Sequence, residues 1–199
     1  KRRIIEISYK NKLSHLGSCL TALDIIKDIY DKKKPAEKFI LSSGHAGLAL
    51  YVVLEAKGGR NAEEIFNHHG VHPDRCGDCG IDCSTGSLGQ GLPISCGIAL
   101  ADRSKNVYCL ISDGESSEGS IWEALNFKRA KHLDNLKVFV NDNGWGAYRS
   151  TEEDLPLDSI FVITVKYTNV DDFPFLKGQD AHYNVMSEDD YKQAMEILK

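Results

Sequence analysis

Asp113 and Asn143 stand thirty residues apart, and each lies just beyond an apolar run: 107–111 ends in Ser112-Asp113-Gly114, and 136–140 ends in Asn141-Asp142-Asn143. If the two runs are neighbouring parallel strands, their C-terminal ends place a carboxylate beside an amide, in the crevice where open α/β sheets take ligands. Hard oxygens of this kind suit Mg²⁺, which takes a carboxylate or two and completes its shell with phosphate oxygens. Gly114 lets such a phosphate approach the backbone because no Cβ intervenes. Asp-Gly and Asp-Asn pairs are also ordinary turn residues after strands. The spacing, with a helical segment between, singles this pair out.

Other residues with chemistry are spread more widely. Residues 84–91, STGSLGQG, form a glycine-rich turn that feeds a small-residue helix at 92–103; the free N–H groups of such a helix start can meet an anion. Seven histidines stand at positions 15, 45, 68, 69, 72, 132 and 182, and imidazoles titrate close enough to neutrality to carry protons. Taken singly, each reads as a packing or surface residue, His68 and His132 included.

Six cysteines need separate readings. Cys19, Cys96 and Cys109 sit in apolar settings and read as buried small hydrophobes. Cys76, Cys79 and Cys83, in CGDCGIDC, could give three thiolates to zinc with His69 or His72 as a fourth ligand. A second CxxC pair at zinc-finger spacing is absent, so loop residues are the plainer expectation. Reduced thiols point to the cytosol.

The elements that must position these residues follow from pattern. A basic helix end opens the chain at 1–9 and gives way to an irregular stretch, 10–19. Thr21 to Asp24 reads as a capping box for a helix burying Leu23, Ile26, Ile29 and Tyr30. A short strand is expected at 38–41, then a turn, Ser42-Ser43-Gly44-His45, into an apolar helix through Ala56. A shorter helix covers 62–67, a polar loop 68–84, and a helix about 118–132. Residues 161–167 read as a strand, 168–183 as loop, and Ser187 caps a final helix to Leu198.

With 199 residues the chain has room for one α/β domain with a substantial core. A formal net charge of −5 offers no basic face for nucleic acid or anionic membrane. No apolar run approaches the roughly 18 residues of a membrane span, and no signal peptide is recognised at the start, so a cytoplasmic protein is expected.

Several motifs in order resemble those of the transketolases, most nearly the N-terminal half that split versions carry as a separate chain. Ser14-His15-Leu16-Gly17-Ser18 resembles the family's GH-x-G, and Leu41 to Ala46 its LS-x-GHA. His72-Pro73 resembles its HP, and STGSLGQG its TG-x-LGQG. Asp113-Gly114 with Asn143 resembles the thiamine diphosphate motif, with Ser112 in place of the usual first Gly. The resemblance implies an α/β thiamine diphosphate-binding fold with a mostly parallel sheet and helices on both faces.

It further implies that Asp113, Asn143 and the main-chain carbonyl of Trp145 hold Mg²⁺ (or Ca²⁺) on the diphosphate of thiamine diphosphate, and that Gly114 lines that diphosphate. Glu118 matches a glutamate of the cofactor and subunit-contact network, while Gly86 and Leu88 border the cofactor. His15, His45, His72 and His182 surround the diphosphate and the reacting sugar carbonyl, His182 on the loosest flanks. The implied activity is transfer of a two-carbon ketol unit between sugar phosphates or related sugars. The glutamate that activates the cofactor belongs to a pyrimidine-binding domain for which 199 residues leave no room, so a partner chain carrying it, in a hetero-oligomer such as a heterotetramer, is expected. Relative to the family, a segment is missing near 151–160. The alternatives are a 1-deoxyxylulose-5-phosphate synthase-like or 2-oxo acid-decarboxylating chain, and a non-catalytic binding or regulatory relative.

Overall fold

Three mainly apolar runs become the central strands, because a strand covered on both faces has little polar side to show. The computed structural model describes residues 1–152 and 157–199. Strands β1 (Lys38–Leu41), β2 (Val107–Ser112), β3 (Leu136–Asp142) and β4 (Thr164–Tyr167) form one parallel sheet in the order β1-β2-β3-β4. Ser112 pairs in register with Asn141, so Asp113 and Asn143 both leave the sheet at the same end.

Alternation along the strands sorts the core into two layers. Phe39, Leu41 and Leu110 face helices α1 (Arg2–Asn11), α2 (Leu16–Lys32), α3 (Gly47–Ala56) and α4 (Ala62–His69). Ile40, Cys109, Ile111, Val138 and Val140 face α5 (Gly91–Ala101) and α6 (Gly119–Ala130). A short helix, α7 (Asp180–Tyr183), packs on α2, and α8 (Glu188–Ile197) packs on α1. The final helix carries the expected cap: the Ser187 and Asp190 side chains bond each other's backbone N–H.

Three expectations need correction. Helix α2 begins at Leu16, five residues before the expected capping box, and Thr21 is an interior residue whose hydroxyl donates to the carbonyls of Gly17 (3.0 Å) and Ser18 (3.2 Å). Such back-bonding to i−3 and i−4 is the other use a helical threonine has for its hydroxyl. The stretch read as loop at 168–183 ends in α7, and the last strand is shorter than 161–167. The shortening expected near 151–160 falls partly on 153–156, outside the described residues. Among the described residues no helix is long and apolar enough to cross a membrane.

Candidate functional site

The site lies beyond the C-terminal ends of β1, β2 and β3, where the first turn of α2 and α7 close over them. His15 is the N-cap of α2 and sits in the left-handed region at φ 59°, a conformation that costs a non-glycine residue energy and needs support. Support comes from its backbone N–H, which donates to the His182 carbonyl at 2.8 Å. His45 follows β1 in a 3-10 turn (Gly44–Ala46). Gly44 is required there, since a Cβ would meet the Thr85 carbonyl oxygen at 2.6 Å and the Gly86 nitrogen at 2.8 Å. That close approach locks the turn carrying His45 to the glycine-rich loop.

The rings of His15, His45 and His182 form a cluster with centroid separations of 5.2, 5.0 and 5.3 Å. His72 packs over Gly86 and joins the same cavity, of about 190 Å³, together with Leu88, Ser112, Gly114, Asn143 and Trp145. Burial, with His182 and His72 nearby, holds His15 down at about 4. Burial, then His182, His15 and His72, holds His45 at about 3. Burial also lowers His182. Neutral imidazoles at physiological pH are the result, each able to accept or donate at a ring nitrogen. His15 Nδ1 and Ser18 Oγ on this cavity are buried without a hydrogen-bond partner among the described residues, which an oxygen-rich ligand would supply.

At the β2 and β3 ends, Asp113 is 5% exposed. Its Oδ1 accepts from the Gly114 N–H at 3.0 Å. Its Oδ2 accepts from the N–H groups of Gly144 (2.8 Å) and Trp145 (3.1 Å) and the Thr151 hydroxyl (2.8 Å). Burial pushes its pKa up to about 6, with Thr151 pulling the other way. A cation at the less occupied Oδ1 would relieve that burial cost. Asn143 Oδ1 accepts from the same Trp145 N–H at 3.1 Å, and the Trp145 carbonyl turns toward Gly114, 4.0 Å from where a Cβ on that residue would stand. Asp113, Asn143 and the Trp145 carbonyl therefore offer the hard-oxygen donors that Mg²⁺ takes, and these residues fit the ion and a diphosphate beside Gly114.

The structure brings His15, His45, His72, His182, Gly86, Leu88, Gly114 and Asn143 onto one cavity. Asp113 borders it from behind, on the side of Thr151 and Asp142. Glu118 is not brought in: it is the exposed N-cap of α6. The acidic residue that does reach inward is Glu115, which sequence reasoning did not single out. It is fully buried and accepts from the Ser42 hydroxyl (2.6 Å) and the N–H groups of Gly89 (2.8 Å) and Ser112 (3.0 Å). One carboxylate thus ties the ends of β1 and β2 to the glycine-rich loop. No periodicity marks it, because it sits in a 3-10 turn.

The profile described as "Transketolase, thiamine diphosphate binding domain" matches residues 10–155. The chain is 35% identical over 180 residues to one of the subunits of the apulose-4-phosphate transketolase of Phocaeicola vulgatus, with 80% of this chain and 64% of that protein covered. It is 36% identical over 168 residues to a 6-deoxy-6-sulfo-D-fructose transketolase subunit of Clostridium sp. (strain MSTE9), covering 74% and 61%. Against human transketolase it is 36% identical over 152 residues, covering 66% and 24%. The chain thus spans 64% or less of the length of these curated relatives. Among solved structures it superposes on a transketolase from Pichia stipitis with a TM-score of 0.65 at 27% identity, covering 80% of this chain and 28% of that one. The transketolase of Campylobacter jejuni shares the fold, with a TM-score of 0.64 at 23% identity and coverage of 79% and 29%.

Proposed function

This chain belongs to the transketolase family, through its thiamine diphosphate-binding domain, and we propose that it works as the diphosphate-binding subunit of a split transketolase. In this reading it transfers a two-carbon ketol unit between sugar phosphates or related sugars, with a partner chain that supplies the pyrimidine-binding domain. The observation that carries the reading is the convergence of four histidines and Asn143 on one cavity, with Asp113 joined to Asn143 through the shared Trp145 N–H.

Thiamine diphosphate, when bound, supplies the electron sink for a carbanion that no side chain here provides. The chain's own residues do the rest. Asp113, Asn143 and the Trp145 carbonyl would hold Mg²⁺ with the diphosphate. Gly114 would keep the backbone clear of it, and Gly86 and Leu88 would border the cofactor. His15, His45, His72 and His182 hold and move protons at sugar hydroxyl and carbonyl oxygens. The neutrality of His15, His45 and His182 suits those three to accept a proton as well as to donate a hydrogen bond.

Two features support a partner. The cavity, about 190 Å³, is smaller than the roughly 300–1,000 Å³ of a complete ligand site, as expected of one wall of an interface. Two of the similar proteins above are themselves named as transketolase subunits. Glu118, exposed at the start of α6, belongs in this reading to the subunit contact. The relatives' substrates make phosphorylated and sulfonated ketoses the first to try. A panel of ketose phosphates, a sulfonated ketose and pyruvate, assayed with a pyrimidine-domain partner and aldose acceptors, tests the reading. Ketol transfer from at least one ketose supports it, and turnover of pyruvate alone sinks it.

A further inference from the structure

The cysteine loop does more than the sequence suggested. His69 closes α4, and seven residues later the chain folds back on itself at Cys76. The N–H of Cys76 donates to the Ile81 carbonyl and that of Ile81 to the Cys76 carbonyl, both at 2.9 Å. The N–H of Gly80 donates to Gly77 at 3.1 Å, with Gly80 at φ +78° where a glycine is favoured. Inside this tight hairpin the Cys79 N–H points at the Cys76 sulfur, 3.3 Å away. The Cys76 and Cys79 sulfurs are 2.7 Å apart, and the His69 Nε2 is 3.4 Å from Cys79 Sγ. All three ligand atoms lie within 4.8 Å of one another.

From this geometry we propose that His69, Cys76 and Cys79 form a zinc site, separate from the proposed cofactor site, with a solvent molecule in the fourth position. Two thiolates and an imidazole are the donor set that selects Zn²⁺ over the harder cations. The Cys79 N–H, which the hairpin aims at the Cys76 sulfur, supports a thiolate ligand there once a metal is bound. Cys79 is buried, and burial and the Cys76 sulfur oppose its thiolate and push the thiol up, by more than Arg60 offsets. An ion between the sulfurs removes that opposition, and binding one Zn²⁺ releases two thiol protons to solvent. The sulfurs must part to roughly 3.8 Å, the separation that a tetrahedral site with Zn–S bonds of about 2.3 Å imposes. Cys76 is partly exposed, so solvent reaches the fourth position.

Cys83 and His72, also candidates from sequence, take no part. The Cys83 thiol faces the Ser84 carbonyl at 3.4 Å, and His72 lines the main cavity. The arrangement gives the site a structural use. Residues 69 to 76 become a closed loop, and that loop carries His72 and Pro73. The Pro73 carbonyl in turn accepts from the Thr85 N–H at 3.0 Å, at the start of the glycine-rich segment.

The test uses untagged protein, purified anaerobically and stripped with a chelator, then titrated with Co²⁺ and Zn²⁺. Expected are one thiolate-bound Co²⁺ per chain, seen as sulfur-to-metal charge-transfer absorption, and its displacement by Zn²⁺. Cys76→Ser and Cys79→Ser lose that absorption, His69→Ala weakens binding at least tenfold, and Cys83→Ser leaves it unchanged. The charge-transfer band comes from sulfur, so a metal at Asp113 does not imitate it. The stripped wild-type protein, checked for unchanged far-ultraviolet dichroism before and after metal return, covers the case of a serine variant that fails to fold. No charge-transfer band from folded wild-type protein overturns the site, as does a Cys76–Cys79 disulfide in the anaerobic preparation or an equal band from Cys83→Ser and Cys76→Ser.

Discussion

Asp113 and Asn143 accept from one and the same donor: the Trp145 N–H lies 3.1 Å from Asp113 Oδ2 and 3.1 Å from Asn143 Oδ1. Thirty residues of chain return to a single point because β2 and β3 are parallel neighbours whose register sets Ser112 opposite Asn141. The shared amide orients both side chains before any ion is present, leaving Asp113 Oδ1 with a single donor, Gly114 N–H, and this lowers the ordering cost of binding an ion.

Asn143 is partly exposed and bonded mainly to its own turn, so its loss should affect ligand binding more than folding. Asn143→Ala is expected to weaken Mg²⁺-dependent thiamine diphosphate binding by roughly 10- to 100-fold or more, the loss seen when even outer-shell metal contacts are removed. Its stability should change by under about 1 kcal/mol, as for most changes away from the core. Tryptophan fluorescence titration and a thermal melt check the two halves.

Glu115 gives the opposite pattern. Its carboxylate is buried with three donors on it, and removing one partner of such a network leaves the others unsatisfied. Glu115→Ala is expected to cost about 2–5 kcal/mol, since each buried donor left unpaired costs roughly 1–3 kcal/mol, measured by denaturant unfolding. Glu115→Gln keeps the shape but turns its amide toward the Ser112 N–H or toward Ser42 and Gly89, and should cost less than the alanine change.

Gly44→Ala tests the contact between the His45 turn and the glycine-rich loop. The new methyl carbon meets backbone, the Thr85 carbonyl and the Gly86 nitrogen, at 2.6–2.8 Å, and backbone cannot rotate aside as a side chain can. A loss of about 1–3 kcal/mol is expected from overpacking, with displacement of residues 85–86 in a crystal structure of the variant.

What sequence made legible divides along physical lines. The cores of β1, β2 and β3 were evident from their apolar runs, since strands buried on both faces carry a mainly apolar signal. The Ser187 cap was evident because its chemistry is local. The start of α2 was not: His15 caps it in a left-handed conformation without a side-chain bond, while Thr21, which looks like a cap, bonds back inside the helix. Asp113 and Asn143 drew attention by their spacing behind two apolar runs, and the four histidines by motif order rather than periodicity. Glu115 and the meeting of His69 with Cys76 and Cys79 depend on how loops close in space, which spacing alone does not encode.

The depressed histidines set a pH dependence. An unfolded histidine takes up a proton near pH 6.5, whereas folded His15 and His45 resist until about 4 and about 3. Below pH 6.5 the unfolded chain therefore binds more protons at these two positions, and their contribution to stability falls with pH until each folded value is reached. NMR titration should show no step for either ring between pH 5 and 8. His45→Asn should reduce the slope of stability against pH between 6.5 and 4 by about one proton. A titration step near 6.5 at His45 in the folded protein would contradict this.

Calorimetric titration of thiamine diphosphate with Mg²⁺, into wild-type chain and Asp113→Ala in the presence of a pyrimidine-domain partner, tests the central claim most directly. Expected is Mg²⁺-dependent binding to the wild-type assembly that Asp113→Ala abolishes while its thermal unfolding stays cooperative. Equal binding by the two, or none by the assembled wild type, contradicts the assignment of Asp113 and Asn143 as the ends that hold the diphosphate.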